Sequence, residues 1–237
     1  IFNTNIWFTL EVCTAIRAKN SDVKILIGGP EATASHYNPG HKLKEMIKFG
    51  IVDAVVFGEG DITVVEVCET ILTDRYDYKN IDGLYYLGGG NNGEREVKNT
   101  LWRQFIPDID SVPIPDYSDI DFSLYQQPEI PIVLSRGCNY SCIYCGVKLY
   151  WKKASDFRKR SPESLMEEVK YLDDSGYIEH GEFNFLSFKG AYVNTDVVKK
   201  SELESGKSIL EEFCDQIVDY YKDASHGVPF QWGGWAR

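Results

Sequence analysis

Cys138, Cys142 and Cys145 crowd one short loop inside the segment Leu134-Ser-Arg-Gly-Cys-Asn-Tyr-Ser-Cys-Ile-Tyr-Cys-Gly146. No other feature limits so tightly what this chain can fold into. A loop that turns back on itself can aim three sulfurs inward at one centre. Cysteine thiolates are the usual ligands of iron–sulfur clusters. A cubane cluster has four irons, so three cysteines leave one iron open to another molecule. The loop follows an apolar run, Ile130 to Leu134, that reads as a buried strand.

Two other readings of the cysteines remain open on the residues alone. A three-cysteine zinc site needs a fourth ligand, typically His or Cys. His36, His41, His180 and His226 are all distant in sequence and lack finger-type spacing. A disulfide framework fits poorly, because six cysteines in 237 residues are sparse for a scaffold of that kind. Cys13, Cys68 and Cys214 each fall on the apolar face of a predicted helix, where they read as small buried hydrophobes.

The C-x3-C-x2-C spacing, with Tyr144 before the third cysteine, Arg136-Gly137 before the first and Gly146 after the last, resembles the signature of radical S-adenosylmethionine enzymes. The resemblance implies a 4Fe-4S cluster held by Cys138, Cys142 and Cys145, with Tyr144 and Gly146 beside the cofactor. It further implies S-adenosylmethionine chelated at the open iron and cleaved to a 5′-deoxyadenosyl radical.

Hydrophobic content of 43% and aromatic content of 14% are enough for a packed core, of one large or two modest domains. No apolar run approaches the ~20 residues of a membrane span, and no signal peptide opens the chain. With reduced thiols, this favours the cytoplasm. The net charge of −11 argues against nucleic acid as a partner. Lys148, Lys152, Lys153, Arg158, Lys159 and Arg160 form a local basic run. Such a run can attract an anionic substrate or a reductant such as flavodoxin or ferredoxin, although charge runs are usually a solvated face.

Before the cysteine loop, Asn5 to Ala18 carries Trp7, Leu10, Cys13 and Ile16 at helical spacing. Val23 to Ile27 and Asp53 to Phe57 read as buried parallel strands, each ending in a glycine-rich loop. His41 to Phe49 reads as a helix between them, and another carries Val64, Val67, Cys68 and Ile71 on one face. The alternation predicts a doubly wound, Rossmann-like sheet with ligands at the strand carboxyl ends. Ile-Gly-Gly-Pro-Glu (27–31) and Val-Asp-Ala-Val-Val-Phe-Gly-Glu-Gly-Asp (52–61) resemble the second half of the cobalamin-binding domain that precedes many radical S-adenosylmethionine cores. That resemblance points to Gly28, Gly29, Pro30, Gly58 and Glu59 as lining for cobalamin. The first half of such a domain, with any Asp-x-His-x-x-Gly segment supplying an axial histidine, does not precede Ile1, so the sequence is expected to be incomplete.

Ile81 to Leu87 and Glu94 to Lys98 flank a glycine- and asparagine-rich hairpin signal. Pro107 to Asp119 is rich in proline and aspartate and reads as a linker. Ser111-Val-Pro-Ile-Pro-Asp-Tyr117 resembles the joining segment of the same enzymes. Beyond it, Ile130 to Ser135, a helix opened by Ser161-Pro162-Glu163, a strand over 181–188, a helix over 208–221 and a strand over 229–235 give βαβαβ. The resemblance implies that this is half of the six-unit partial TIM barrel such enzymes have.

The expected organisation is therefore α/β: part of a doubly wound cobalamin-binding domain (1–80), a hairpin and linker (81–128), and the first half of a partial (β/α)6 barrel (129–237). By position in that fold, Asn184 is expected to hydrogen-bond S-adenosylmethionine and Trp232 to contact adenosine or substrate, although large aromatics are mostly core. The family resemblance implies cobalamin-dependent methyl transfer to an unactivated centre of a small-molecule or peptide substrate. A rearrangement, cyclisation or oxidation without methylation is a second reading, and a zinc-stabilised binding module without catalysis a third.

Overall fold

Parallel strands at two places in the chain set its architecture. The computed structural model describes residues 3–38, 40–75, 77–90, 94–124, 129–138, 143, 157–178, 184–189, 207–225 and 227–233. They divide into two units, Ile1–Ile106 and Pro107–Arg237.

The first unit begins with α1 (Ile6–Lys19), β1 (Leu26–Ile27), α2 (Pro30–Ala34) and α3 (Lys42–Lys48). It continues with β2 (Ala54–Val56), α4 (Asp61–Leu72) and the hairpin β3 (Leu84–Gly89) and β4 (Arg95–Asn99). The sheet order is β1-β2-β3-β4. Strands β1 and β2 are parallel, with Leu26 opposite Ala54, and the hairpin pairs antiparallel onto β2. The hairpin thus belongs to the sheet rather than to a connector, and the boundary falls at residues 106–107. The reason is burial: Leu84 and Tyr85 enter the two cores that β2 serves.

Several expected boundaries move for local reasons. Strand β1 is shorter than Val23 to Ile27 because the Ile25 N–H donates to the Asp53 side chain at 2.8 Å. That carboxylate also takes a hydrogen bond from Arg17 at 2.6 Å. Arg17 fixes the face of α1 as well. The inward line is Ile6, Leu10, Cys13 and Arg17, so Trp7 and Ile16 are exposed rather than buried. Cys13 is buried as expected, and burial pushes its thiol pKa up. Cys68 is exposed, contrary to expectation, because α4 turns Thr63 and Val67 inward. Thr63 takes the inner position because its hydroxyl donates to the Asp82 carbonyl at 2.8 Å and accepts from Arg103 Nε at 2.8 Å.

The second unit contains β5 (Glu129–Val133), β6 (Ser135–Arg136), β7 (Arg158–Lys159), α5 (Pro162–Asp174), β8 (Asn184–Lys189), α6 (Ile209–Tyr220) and β9 (Phe230–Gly233). Strands β5, β8 and β9 form one parallel sheet in that order, with the described helices α5 and α6 between successive strands. This is the expected βαβαβ arrangement. Helix α5 starts as its sequence dictates: Ser161 Oγ accepts from the Ser164 N–H at 3.1 Å, and Pro162 takes the first turn. Helix α6 opens with a capping box between Ser208 and Glu211.

The core joins Ile130, Ile132 and Leu134 to Leu165, Val169 and Leu172 of α5 and to Phe213 and Ile217 of α6. The proline- and aspartate-rich stretch belongs to this unit, with Ile109 buried and Tyr117 packed against Phe122 and Tyr177. Burial pushes the Cys214 thiol up, in keeping with its half-buried place on α6. No described helix is long and apolar enough to cross a membrane.

Phe213 is fully buried between α6 and the strands. Phe213→Ala is expected to destabilise the fold by about 3–5 kcal/mol in denaturant unfolding, through lost burial and the cavity left behind.

Candidate functional site

In the first unit, parallel pairing of β1 and β2 brings both glycine-rich loops to one sheet edge. Gly29 has φ +97 and Gly58 φ +78, conformations that a side chain would strain. Thr33 couples the two loops: its buried hydroxyl accepts from the Gly58 N–H at 3.0 Å and lies 3.2 Å from the Gly29 carbonyl, to which it donates. Gly29 and Pro30 are exposed, while Gly28 is half-buried beside Val56. The expected residues Gly28, Gly29, Pro30 and Gly58 thus share one edge.

Glu59 is adjacent but differently engaged. It is buried, and its carboxylate accepts from the Ile106 N–H at 3.0 Å. Its side chain fastens the segment leaving the sheet.

That segment carries a residue that the sequence reading missed. The Trp102 indole lies against Gly58, where an added Cβ would sit 3.6 Å from the ring. Trp102 also meets His36 at 5.2 Å and Phe57 at 5.5 Å between ring centroids. His36 Nδ1 is 3.0 Å from the Tyr85 hydroxyl, so this histidine is engaged within an aromatic group at the loop edge. His41 pairs instead with Glu31, Nε2 to Oε1 at 2.6 Å. Sequence offered no signal for Trp102, since only pairing of the hairpin with β2 brings it back to Gly58.

In the second unit, β5 leads through Leu134 into β6, and β6 pairs antiparallel with β7. Ser135 lies opposite Lys159 and Arg136 opposite Arg158, so the segment carrying the three cysteines is closed at its base by a two-stranded ribbon. Sequence gave no periodic signal for strands this short. Gly137 follows with φ +91, a turn that accounts for glycine before Cys138. Cys138 is half-buried immediately beyond it. Ile143 is exposed. Cys142, Tyr144, Cys145 and Gly146 lie outside the described residues. Among the described residues, no group of three or more His, Cys, Asp or Glu is placed to hold a metal ion. The chemistry of the donor set, three thiols behind a glycine turn, nevertheless fits a cluster rather than a harder cation.

The basic run is divided by the fold. The Arg160 guanidinium pairs with Glu168 of α5, and both are largely buried. Arg160 is therefore no part of a solvated basic face. Arg158 and Lys159 are half-buried in the ribbon. Lys148, Lys152 and Lys153 lie outside the described residues.

Strand register corrects the placement of Asn184. It opens β8 opposite Phe230, one step before the level at which Glu129 meets Phe185. It therefore sits at the amino edge of the sheet, whereas β5 enters the cysteine loop at the carboxyl edge, level with Lys189. The expected strand ran over 181–188 with Asn184 inside it, whereas β8 spans Asn184–Lys189. Trp232 lies within β9, paired with Leu186.

No protein-family model matches the chain. The chain is 31% identical to an uncharacterized methyltransferase of Pyrococcus horikoshii over 167 residues, 69% of this chain and 33% of that protein. It is 24% identical to the anaerobic magnesium-protoporphyrin IX monomethyl ester cyclase of Cereibacter sphaeroides over 191 residues, 77% of this chain and 26% of the cyclase. The chain thus spans a third or less of these relatives. In fold it is similar to the radical S-adenosylmethionine methyltransferase TsrM of Kitasatospora setae, solved with tryptophan substrate and a cofactor analogue bound. That match has TM-score 0.58 at 17% identity and covers 95% of this chain and 38% of TsrM. A second TsrM structure, with cobalamin and a [4Fe-4S] cluster bound, matches at TM-score 0.57 and 18% identity.

Thr33→Val removes the acceptor of the Gly58 N–H. The expected cost is about 1 kcal/mol in equilibrium unfolding, the loss of one half-buried hydrogen bond. Hydrogen exchange at Gly58 should accelerate in the same variant.

Proposed function

This chain belongs to the cobalamin-binding radical S-adenosylmethionine enzymes, and from that premise we propose that it carries a cluster-binding thiol loop and part of a cobalamin site serving methyl transfer to an unactivated centre. The observation that carries the reading is the cysteine motif itself, opening at the carboxyl end of β5 in a parallel βαβαβ unit. Active sites of barrel folds lie at that end.

Cys138, Cys142 and Cys145 would hold the cluster, with Tyr144 and Gly146 beside it. When bound, the cluster and S-adenosylmethionine supply a 5′-deoxyadenosyl radical, and cobalamin supplies a transferable methyl group. The protein's part is to hold reactants in line and keep water from the radical. At the other site, Gly28, Gly29 and Pro30 offer exposed or half-exposed backbone at one sheet edge, which suits a ligand laid across the strand ends. Gly58 and Trp102 form the neighbouring wall. Glu59 supports that wall through Ile106 rather than offering its carboxylate to the ligand. Trp232 remains a candidate contact for adenosine or substrate, whereas the position of Asn184 no longer recommends it.

The substrate class is a small molecule or peptide, the reductant a low-potential donor such as flavodoxin or ferredoxin, and the compartment the cytoplasm, where thiols stay reduced. A cyclase among the relatives favours one second reading, a radical cyclisation or oxidation without methylation.

Anaerobic reconstitution with iron and sulfide should give broad visible absorption. Dithionite and S-adenosylmethionine should then yield 5′-deoxyadenosine, and Cys138→Ala should abolish both signals. A colourless, zinc-replete, folded protein would instead establish the binding module. Once a substrate is in hand, label from methyl-labelled S-adenosylmethionine in the product separates methyl transfer from cyclisation or oxidation.

A further inference from the structure

The second unit holds a buried charge pair that the cysteine chemistry does not itself use. Glu168 is only 1% exposed. Burying a carboxylate so deeply is costly unless it is paired and hydrogen-bonded. Its partner is the Arg160 guanidinium. Arg160 also donates from Nε to Ser164 Oγ at 3.1 Å and from Nη2 to the Ser164 carbonyl at 2.8 Å. The planar fork is thus held by neighbouring turns of α5, an arrangement that lysine cannot reproduce.

The backbone of Arg160 explains what this grip controls. Its N–H donates to the Leu134 carbonyl at 2.9 Å, beside the β6–β7 pairs Ser135–Lys159 and Arg136–Arg158. One residue on, the Ser161 N–H donates to both carboxylate oxygens of Asp110, at 3.0 and 3.2 Å. Ile109, Val112, Pro113, Ile114 and Pro115 line a cavity of about 80 Å³ against Arg136, Arg160 and Glu168. Glu168 also lies close enough to Tyr117 for its charge to add to the effect of burial in raising that phenol's pKa. Helix, ribbon and the proline-rich segment therefore meet at one ion pair, at the exit of the segment whose entrance is Gly137-Cys138.

We propose that Arg160 and Glu168 are a positioning pair that clamps the exit strand β7 to α5 and so fixes the base of the cysteine-bearing segment. The proposal rests on the cluster reading above. The pair touches neither thiol nor cofactor. It sets the registration of Arg136 against Arg158, and through Gly137 the direction in which Cys138 leaves the ribbon. Supporting contacts of this kind around metal ligands commonly change metal affinity by about 10–100-fold when removed.

The test uses the double variant Arg160→Met/Glu168→Leu, because a buried ion pair replaced by apolar residues of similar size usually leaves a folded protein. In the reconstituted protein, iron release to a chelator should accelerate about 10–100-fold while the melting temperature changes little. The electron paramagnetic resonance signal of the reduced cluster should broaden or shift. In the cluster-free protein, alkylation of Cys138, followed by mass spectrometry, should also change in rate. Arg160→Lys should fail to restore the wild-type release rate, since it keeps the charge and loses the fork.

Should the double variant not fold, Ser164→Ala provides the reading, with a smaller acceleration in the same direction. Release and alkylation rates within twofold of wild type in the folded double variant, or in Ser164→Ala where the double variant does not fold, would overturn the proposal. If the wild-type protein takes up no cluster, the cluster reading fails on its own, and Cys138 alkylation still decides whether the pair sets the base of the segment.

Discussion

Parallel strand pairing is the constraint on which both candidate sites depend. Parallel neighbours cannot be joined by a tight turn, so each return of the chain requires a crossover, usually a helix. Successive strands then finish at the same edge, and the loops leaving them gather there. In the first unit this places Gly28–Pro30 beside Gly58, coupled by Thr33. In the second it opens the cysteine segment at the carboxyl end of β5. Antiparallel pairing at β1–β2 would have sent the two glycine loops to opposite edges.

Once the edges are set, buried polar contacts fix what leaves them. Asp53 draws Arg17 and the Ile25 N–H together and delays the start of β1 to Leu26. Glu59 ties down Ile106, and Arg103 pairs with Glu66 while its Nε reaches Thr63. Arg160 and Glu168 do the same for the ribbon. Each contact replaces water around a charge with a protein partner, which is the condition for burying that charge at all. The same contacts explain why residues that read as ligands or surface charges in sequence serve as fastenings in the fold.

The methyltransferase and cyclase relatives share a stretch of this chain while differing in the chemistry their names describe. A fold carries many activities, and the site decides among them.

The sequence by itself determined the longer helices and strands and the spacing of the three cysteines. Apolar periodicity gave α1, α5 and α6 to within a residue or two, and Ser161-Pro162 and Ser208 marked two helix starts through capping chemistry that acts over a single turn. The cysteine spacing was equally legible, because ligand chemistry is written in residue type and separation. The exposure of Cys68, the place of Asn184 at a strand's beginning, the docking of the hairpin onto β2, the return of Trp102 to Gly58 and the Arg160–Glu168 pair were decided only by tertiary structure. Each depends on which face an element turns inward or on contacts between residues far apart in the chain. Local periodicity fixes that a helix has an apolar side; only packing selects the line of residues that meets the core.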